Sequence, residues 1–489
     1  MWWPASSPRP NPRPKTFWPQ SKPHSAEPTG FARTMVRRTG AAHPSTLALL
    51  AGLLIIAGGL RWLAFETARP VATLGDENYY AQVADSIARG DGHIYIGKFE
   101  GASRAWRPPA HAWLLSLAAA PDGAANTPVV RFQRLQILWG TLLVLLTALL
   151  GRALFDLRTG VLAGLLAALC PALIAHSHFL WSETLFAVLV MTGLLGVVSV
   201  ARRPRLPIVF ATGVVFGAAA LTRELALLIA AASGLWWIDL AAPADRRAAT
   251  LRGGLLLAVA LAVTAPWVLR NYETLGRFVG VSTVGWFAAA EGNSLESPAW
   301  WEQRGPVQGR FHARYFSTRD ELARLDLARD HALERVQAEQ PGWIGKKLVR
   351  NLGLLLNPDS VVRTKVRNGA YGDRPAAPAR WLLAVSGPAW LALAATAALG
   401  VAAARAGGRR ALAVLLLGGV ILVHVAANAT PRFRVPWLPL LCIYAAHALI
   451  LGRRIPSALD RRGAIGAAVV LAAIFGLGVP YFWMLGGRP

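Results

Sequence analysis

The residues best suited to chemistry begin with Gly75-Asp76-Glu77-Asn78-Tyr79-Tyr80, two adjacent carboxylates with two tyrosines behind them. Such a pair can bind a divalent cation, with Asp76 as the ligand, or take a proton from an attacking hydroxyl. It also suits a plain helix start, with Asp76 as N-cap and Glu77 complementing the helix dipole. The readings are compatible, because a cap fixes the carboxylate it uses. Next comes Arg104-Ala105-Trp106-Arg107-Pro108-Pro109. Two prolines stiffen the backbone behind Arg107, which could aim its guanidinium at a phosphate. An arginine snorkelling to a membrane interface would read the same way.

Further candidates lie far along the chain. Glu183 ends the run His176-Ser177-His178-Phe179-Leu180-Trp181-Ser182-Glu183, and Arg223 stands beside Glu224 in a tight turn. Arg223 could form a structural ion pair with Glu224 or Glu183, or bind an anion. Arg432 and Arg434 sit in Pro431-Arg432-Phe433-Arg434-Val435-Pro436. Arg270 follows Pro266-Trp267-Val268-Leu269, where it is either a phosphate ligand or a cation favoured by a helix C-terminus. His176 and His178 lack a matching third ligand, so interfacial packing is the preferred reading for both.

The elements that must position these groups are membrane helices. The chain is 54% hydrophobic and 16% charged, with a mean hydropathy of +0.39. A soluble protein carries about a quarter charged residues, so a water-dispersed globule is excluded. The 51 Lys plus Arg against 26 Asp plus Glu leave a net charge of +25. Nucleic-acid binding would account for the charge but not for the hydropathy. Cys170 and Cys442 both lie in apolar runs and imply neither a disulfide framework nor a thiolate metal site.

A spanning helix needs roughly 20 apolar residues, and about eleven candidates follow from that length. They cover 46–64, 130–151, 160–176, 182–200, 206–222, 225–240, 253–269, 381–404, 411–428, 435–451 and 464–484. Alternate connections are arginine-rich: Arg152 and Arg158; Arg202, Arg203 and Arg205; Arg246, Arg247 and Arg252; Arg405, Arg409 and Arg410; Arg453, Arg454, Arg461 and Arg462. The positive-inside rule makes that set cytoplasmic, with the N-terminus inside and the C-terminus outside. Against this parity, the arginines among the candidates stand at outer boundaries. Ionisable groups at such depth mark function when they are not simply paired.

The expected architecture is an all-α polytopic membrane protein with two large outer loops, 65–129 and 270–380. Residues 1–44 read as a disordered basic cytoplasmic tail, with Met35 an alternative start; 45–455 form the membrane core; 456–489 hold the last span and the C-terminus. Within the first loop, Glu77 to Arg89 reads as an amphipathic helix ended by Gly90, and Pro108 to Ala120 as a helix in the membrane interface. In the second, Thr318 to Gln340 reads as a charged amphipathic helix. Trp343 to Leu356 reads as an interfacial one, with Lys346, Lys347 and Arg350 near phosphate headgroups.

In order and wording these motifs resemble the C-type membrane glycosyltransferases, specifically bacterial relatives of the protein O-mannosyltransferases and the lipid A aminoarabinose transferase (glycosyltransferase family 39-like). The resemblance is carried by Gly75-Asp76-Glu77 with Tyr80, Arg107-Pro108-Pro109, Ser182-Glu183, Thr222-Arg223, Pro266-Trp267 through Arg270-Asn271-Tyr272, and Arg432-Phe433-Arg434-Val435-Pro436. It covers about residues 45 to 455. Relatives of the aminoarabinose transferase usually carry Lys where Arg107 stands and Asp where Glu183 stands.

The resemblance implies the C-type fold and an inverting transfer of a sugar from a polyprenyl-phosphate donor to an acceptor hydroxyl. The acceptor would be a glycan, lipid or protein, at the outer face of a bacterial cytoplasmic membrane. It implies that Asp76, with Glu77 beside it, acts as base or metal ligand. Tyr80, Arg107, Glu183, Arg223, Arg270, Arg432 and Arg434 would bind substrate or phosphate. The sequence offers no closed metal site and makes no cofactor certain; members of the family differ in metal dependence, which leaves a divalent cation open. A polysaccharide polymerase or another transferase using lipid-linked substrates would present a similar arginine-rich face. A secondary transporter is a more distant alternative, since repeat symmetry and midplane charges are lacking.

Overall fold

The computed structural model describes residues 44–119, 128–294, 306–358, 361–372, 375–404 and 408–484. The expected basic tail with Arg33, Arg37, Arg38 and Met35, the linker arginine Arg405, and Arg488 and Pro489 lie outside the described residues. Among the described residues the chain is helical, and its one strand-like contact is a bridge between Tyr95 and Ser103.

Helix α1 (Pro44–Ala68) leads into a first loop holding α2 (Asp76–Ala88) and α3 (Ala110–Ser116). The chain then runs through α4 (Val129–Leu154), α5 (Leu157–Leu169), α6 (Pro171–His176), α7 (Glu183–Arg202), α8 (Leu206–Ala220), α9 (Leu225–Leu240) and α10 (Arg246–Leu275). A second loop carries α11 (Val284–Asn293), α12 (Pro306–Ser317), α13 (Glu321–Ala338), α14 (Trp343–Leu356) and α15 (Val361–Arg367). Helices α16 (Ala377–Ala403) and α17 (Gly408–Ala426) follow. A 3-10 helix (Pro431–Trp437), α18 (Leu438–Leu451), α19 (Arg461–Ala473) and α20 (Val479–Met484) complete the described chain.

Every stretch expected to span from hydropathy is largely helical. Among the described residues, eight helical stretches are long and apolar enough to cross a membrane, while α5, α8 and α9 are shorter apolar helices. The expected eleven therefore stand as eight long spans and three short helices. The third expected span is broken: Cys170 is extended, with ψ of 115°, and Pro171 starts α6. Proline disfavours helical backbone in the residue before it and supplies no N–H, so the helix stops and restarts there.

Burial separates the centre of the bundle from its rim. Two thirds (67%) of the apolar window is buried in both α7 and the Pro431–Ala458 stretch, against 17% in α1. Lipid is as apolar as leucine, so close backbone approach, more than hydrophobicity, holds such helices together. Gly213 and Gly217 share one face of α8. A Cβ on them would come within 2.9 Å of the Leu256 carbonyl oxygen and 2.8 Å of that of Ala260, on α10.

The loops hold the expected amphipathic helices, with α2 and α14 closely matching the forecast segments. One expectation about α14 is corrected. Lys347 and Arg350 do not face headgroups but are buried. The three N–H bonds of Lys347 reach the Gly292 carbonyl (2.9 Å), Asn293 Oδ1 (2.6 Å) and the Ala427 carbonyl (2.9 Å). Three acceptors for three donors satisfy a buried ammonium, so the lysine pins α11, α14 and the end of α17 to one another. At the opposite end of the bundle, arginines hold helix ends. Arg202 donates to the Ala153 carbonyl, Arg409 Nε to that of Leu154 (2.5 Å), and Arg410 pairs with Asp460 at 2.8 Å.

Candidate active site

Asp76 is the first residue of α2, and the turn before it is made by Gly75 at φ 58°, a conformation that favours glycine. Since Gly75 is the N-cap residue, Asp76 does not cap the helix. Its two oxygens instead accept from Arg107 Nη2 and Arg432 Nη1, each at 2.6 Å. Arg432 also reaches Glu183 through Nε, and through Nη2 at 3.1 Å, and Glu183 accepts from Arg223 Nη1 at 2.7 Å. The result is one chain of contacts, Arg107–Asp76–Arg432–Glu183–Arg223, drawn from five separate segments. Three guanidinium groups face two carboxylates, which leaves one excess positive charge.

The network is protected without being sealed. The side chain of Glu183 is fully buried, while those of Asp76, Arg107, Arg223 and Arg432 keep 16–23% exposure. Aromatic rings floor it: Arg432 lies 3.9 Å from the Trp181 ring centre, Arg107 4.6 Å from Trp106 and Arg223 5.4 Å from Phe433. Burial by itself would raise the Asp76 pKa. Arg107 and Arg432 outweigh it and hold the carboxyl well below the usual carboxylate range. Arg107 is shifted upward by Asp76 against the opposing effect of burial.

Asp76 and Glu77 are neighbours with different surroundings. Glu77 is 1% exposed, and its oxygens take the backbone N–H of Leu74 (2.9 Å), that of Leu180 (3.1 Å) and the Lys365 ammonium. Tyr80 is buried behind the network, edge-on to His111 at 4.5 Å. Burial, its largest influence, raises its pKa.

Two of the expected arginines lie outside the network. Arg270 Nη1 donates to the Arg104 carbonyl at 2.8 Å and packs over Trp267, so it steadies the segment that carries Arg107. Arg434 donates to the Leu355 carbonyl (3.3 Å) and that of Asn357, at the C-terminal end of α14, and lies 4.1 Å from the Trp390 ring centre. In a 3-10 helix of 3.0 residues per turn, residues two apart point about 120° away from each other. Arg432 and Arg434 therefore diverge.

Three positioning groups carried no clear signal in sequence. Glu321, at the start of α13, accepts the N–H groups of Arg104 (2.6 Å) and Ala105 (3.2 Å) and the Thr283 hydroxyl (2.9 Å), fixing the approach to Arg107. Lys365 has the Glu77 contact described above. Arg61, fully buried in α1, donates to Ser177 Oγ (3.1 Å) and the Ala57 carbonyl (3.2 Å), while the His178 ring meets the Arg61 carbonyl at 3.0 Å. A charge inside an apolar span was the one usable signal for Arg61. It braces the broken third span that leads to Glu183.

The described residues hold no group of three or more His, Cys, Asp or Glu placed to bind a metal ion. Both Asp76 oxygens are engaged by guanidinium groups, and a divalent cation would have to displace them and lie beside their charge. The surroundings of Asp76 in this arrangement do not fit a cation. Beyond Pro431, Cys170, His176, Trp390, Arg434 and Leu438 are among the residues lining a small, mainly apolar cavity.

Residues 106–269 match the family model described as dolichyl-phosphate-mannose-protein mannosyltransferase. That segment carries Arg107, Glu183 and Arg223, and the match bears out the resemblance read from the motifs. No curated protein matches the chain in sequence. In fold, it is similar to the oligosaccharyltransferase of Archaeoglobus fulgidus tethered to an acceptor peptide, with a TM-score of 0.51 and 15% identity over 91% of this chain and 55% of that one. The archaeal oligosaccharyltransferase AglB, bound to an inhibitory peptide and a dolichol-phosphate, gives 0.50 and 16% over 91% and 56%. The chain thus spans little more than half the length of these relatives. ArnT from Cupriavidus metallidurans, bound to undecaprenyl phosphate, aligns with a TM-score of 0.38 and 18% identity over 84% of this chain and 79% of that one.

Proposed function

We propose that the chain transfers a sugar from a polyprenyl-phosphate donor to an acceptor hydroxyl at the outer face of a bacterial cytoplasmic membrane. The observation that carries this reading is the arginine–carboxylate network. Arginine forks match phosphate geometry, and a site with one excess positive charge, open at one side and floored by aromatic rings, suits a phosphate on a lipid. AglB, which shares the fold, is seen with dolichol-phosphate, a carrier of the same chemical class.

In the proposed step the acceptor oxygen attacks the anomeric carbon as the bond from that carbon to the phosphate oxygen breaks. The bonding pair leaves with the polyprenyl phosphate, whose growing charge is stabilised by Arg107, Arg223 and Arg432. The acceptor proton passes to Asp76. A single displacement inverts the configuration at the sugar. Asp76 is a weak base while both arginines hold it, since a general base works best with a pKa near the operating pH. A donor phosphate competes for those guanidinium groups, and a carboxylate relieved of a cation becomes more basic. Substrate binding thereby prepares the base.

The test supplies purified protein in lipid with radiolabelled polyprenyl-phosphate sugars and membrane-derived acceptors. Movement of label off the carrier supports the reading. Label that stays on the carrier with every sugar and acceptor contradicts it. An ion-pair network also suits a transporter, and sealed vesicles that take up label without bond cleavage would favour that class.

A further inference from the structure

We propose that Lys365, on the second loop, is a positioning residue for Asp76, acting through Glu77 and Trp181. The proposal rests on the transferase reading above and adds a residue that none of the motifs contains. Three parts of the chain converge on the Glu77 carboxylate: Leu74 at the entry to α2, Leu180 in the turn before α7, and Lys365 on α15. Glu77 is fused to Asp76 by one peptide bond, so whatever fixes Glu77 fixes the register at which Asp76 leaves the helix. Lys365 is buried, and its ammonium also lies 4.6 Å from the Trp181 ring centre and 5.1 Å from that of Phe179. The same Trp181 indole carries Arg432 at 3.9 Å. Lys365 therefore contacts the support of both partners in the Asp76–Arg432 bond.

The backbone around α15 is tied to the same place. The N–H groups of Val71 and Ala72, just before α2, donate to the Ala370 carbonyl at 2.8 and 3.2 Å. The charged groups that share the neighbourhood are Asp76, Glu77 and Lys98 from the first loop, Glu183 and Arg432 from the bundle, and Arg107. Among the described residues, Lys365 is the cation that pairs with Glu77. Without it, Glu77 becomes a second carboxylate competing for Arg432, one residue from Asp76.

The test measures transfer by Lys365→Met, Lys365→Arg and the charge-neutral double variant Glu77→Gln with Lys365→Met. The expected result for Lys365→Met is a kcat lower by about 30-fold with the donor KM within about twofold. Lys365→Arg should retain most activity. The double variant should return to within about fivefold of the parent, because the uncompensated charge is gone. A Lys365→Met kcat within about twofold of the parent, or a double variant as slow as the single one, overturns the proposal. Should Lys365→Met fail to fold, the folded double variant decides by the same limit. Absence of transfer by the parent protein overturns the transferase reading itself. Transfer by the parent with no recovery in the double variant overturns the role of Lys365 alone.

Discussion

Arg432 at the loop end of the bundle and Arg409 at the opposite end are both drawn inward by acceptors, but the acceptors differ in kind. Arg409 donates to the Leu154 carbonyl, at the C-terminus of α4, where a cation also meets the negative end of the helix dipole. Arg202 does the same one residue earlier, at Ala153. These contacts finish a helix and replace lost water. Arg432 instead divides its donors between Asp76 and Glu183 and rests on an indole. A carbonyl at a helix end has no ready substitute, whereas a phosphate can take the place of a carboxylate at a guanidinium. In the proposed function, the same side chain is thus a structural terminus at one end and an exchangeable anion holder at the other.

The comparison breaks most visibly at Asp76. Asp76→Asn should lower transfer by about 10³-fold, the range of a lost general base, with the protein still folded in detergent. Activity near that of the parent would remove Asp76 from the chemistry. Arg432→Gln comes next, with a loss of about 10²-fold and weaker donor binding, because it removes a phosphate donor and the bridge between the two carboxylates. The accompanying measurement is donor KM, which should rise.

Glu183→Gln sharpens the contrast on the structural side. It leaves Arg432 and Arg223 short of a fully buried partner, and breaking such a pair costs about 3–5 kcal/mol. Their partial exposure to water places the expected loss toward the lower end. A thermal midpoint several degrees lower, with activity down by about tenfold, is the expected outcome. At the opposite end, Arg409→Gln should leave transfer within about twofold of the parent, since its acceptor is a helix-end carbonyl remote from the network. A loss as large as that of Arg432→Gln would erase the distinction between the ends.

Much of this arrangement could be read from the residues. Hydropathy located the helices because lipid leaves the backbone no alternative. Asp76, Arg107, Glu183, Arg223 and Arg432 stood out as charges at apolar boundaries, and they meet in one network. Asp76 and Glu77 could not be told apart, because their difference arises from the left-handed turn at Gly75 and from donors more than a hundred residues away. Lys365 and Glu321 left no pattern for the same reason: each acts on a segment over two hundred residues distant. Arg434 shared a motif with Arg432 and was separated from it only by the 3-10 turn. Spacing reveals contacts along one helix face, and it is silent on contacts that only the folded bundle creates.

In the proposed function the loop-end arginines form an exchangeable phosphate site. Equilibrium binding of a radiolabelled polyprenyl phosphate to the parent, Arg432→Gln and Arg409→Gln proteins in lipid nanodiscs tests it most directly. The parent and Arg409→Gln should bind alike, and Arg432→Gln should bind at least about tenfold more weakly, the equivalent of roughly 1.4 kcal/mol. Equal binding by all three proteins would show that Arg432 does not hold the carrier phosphate.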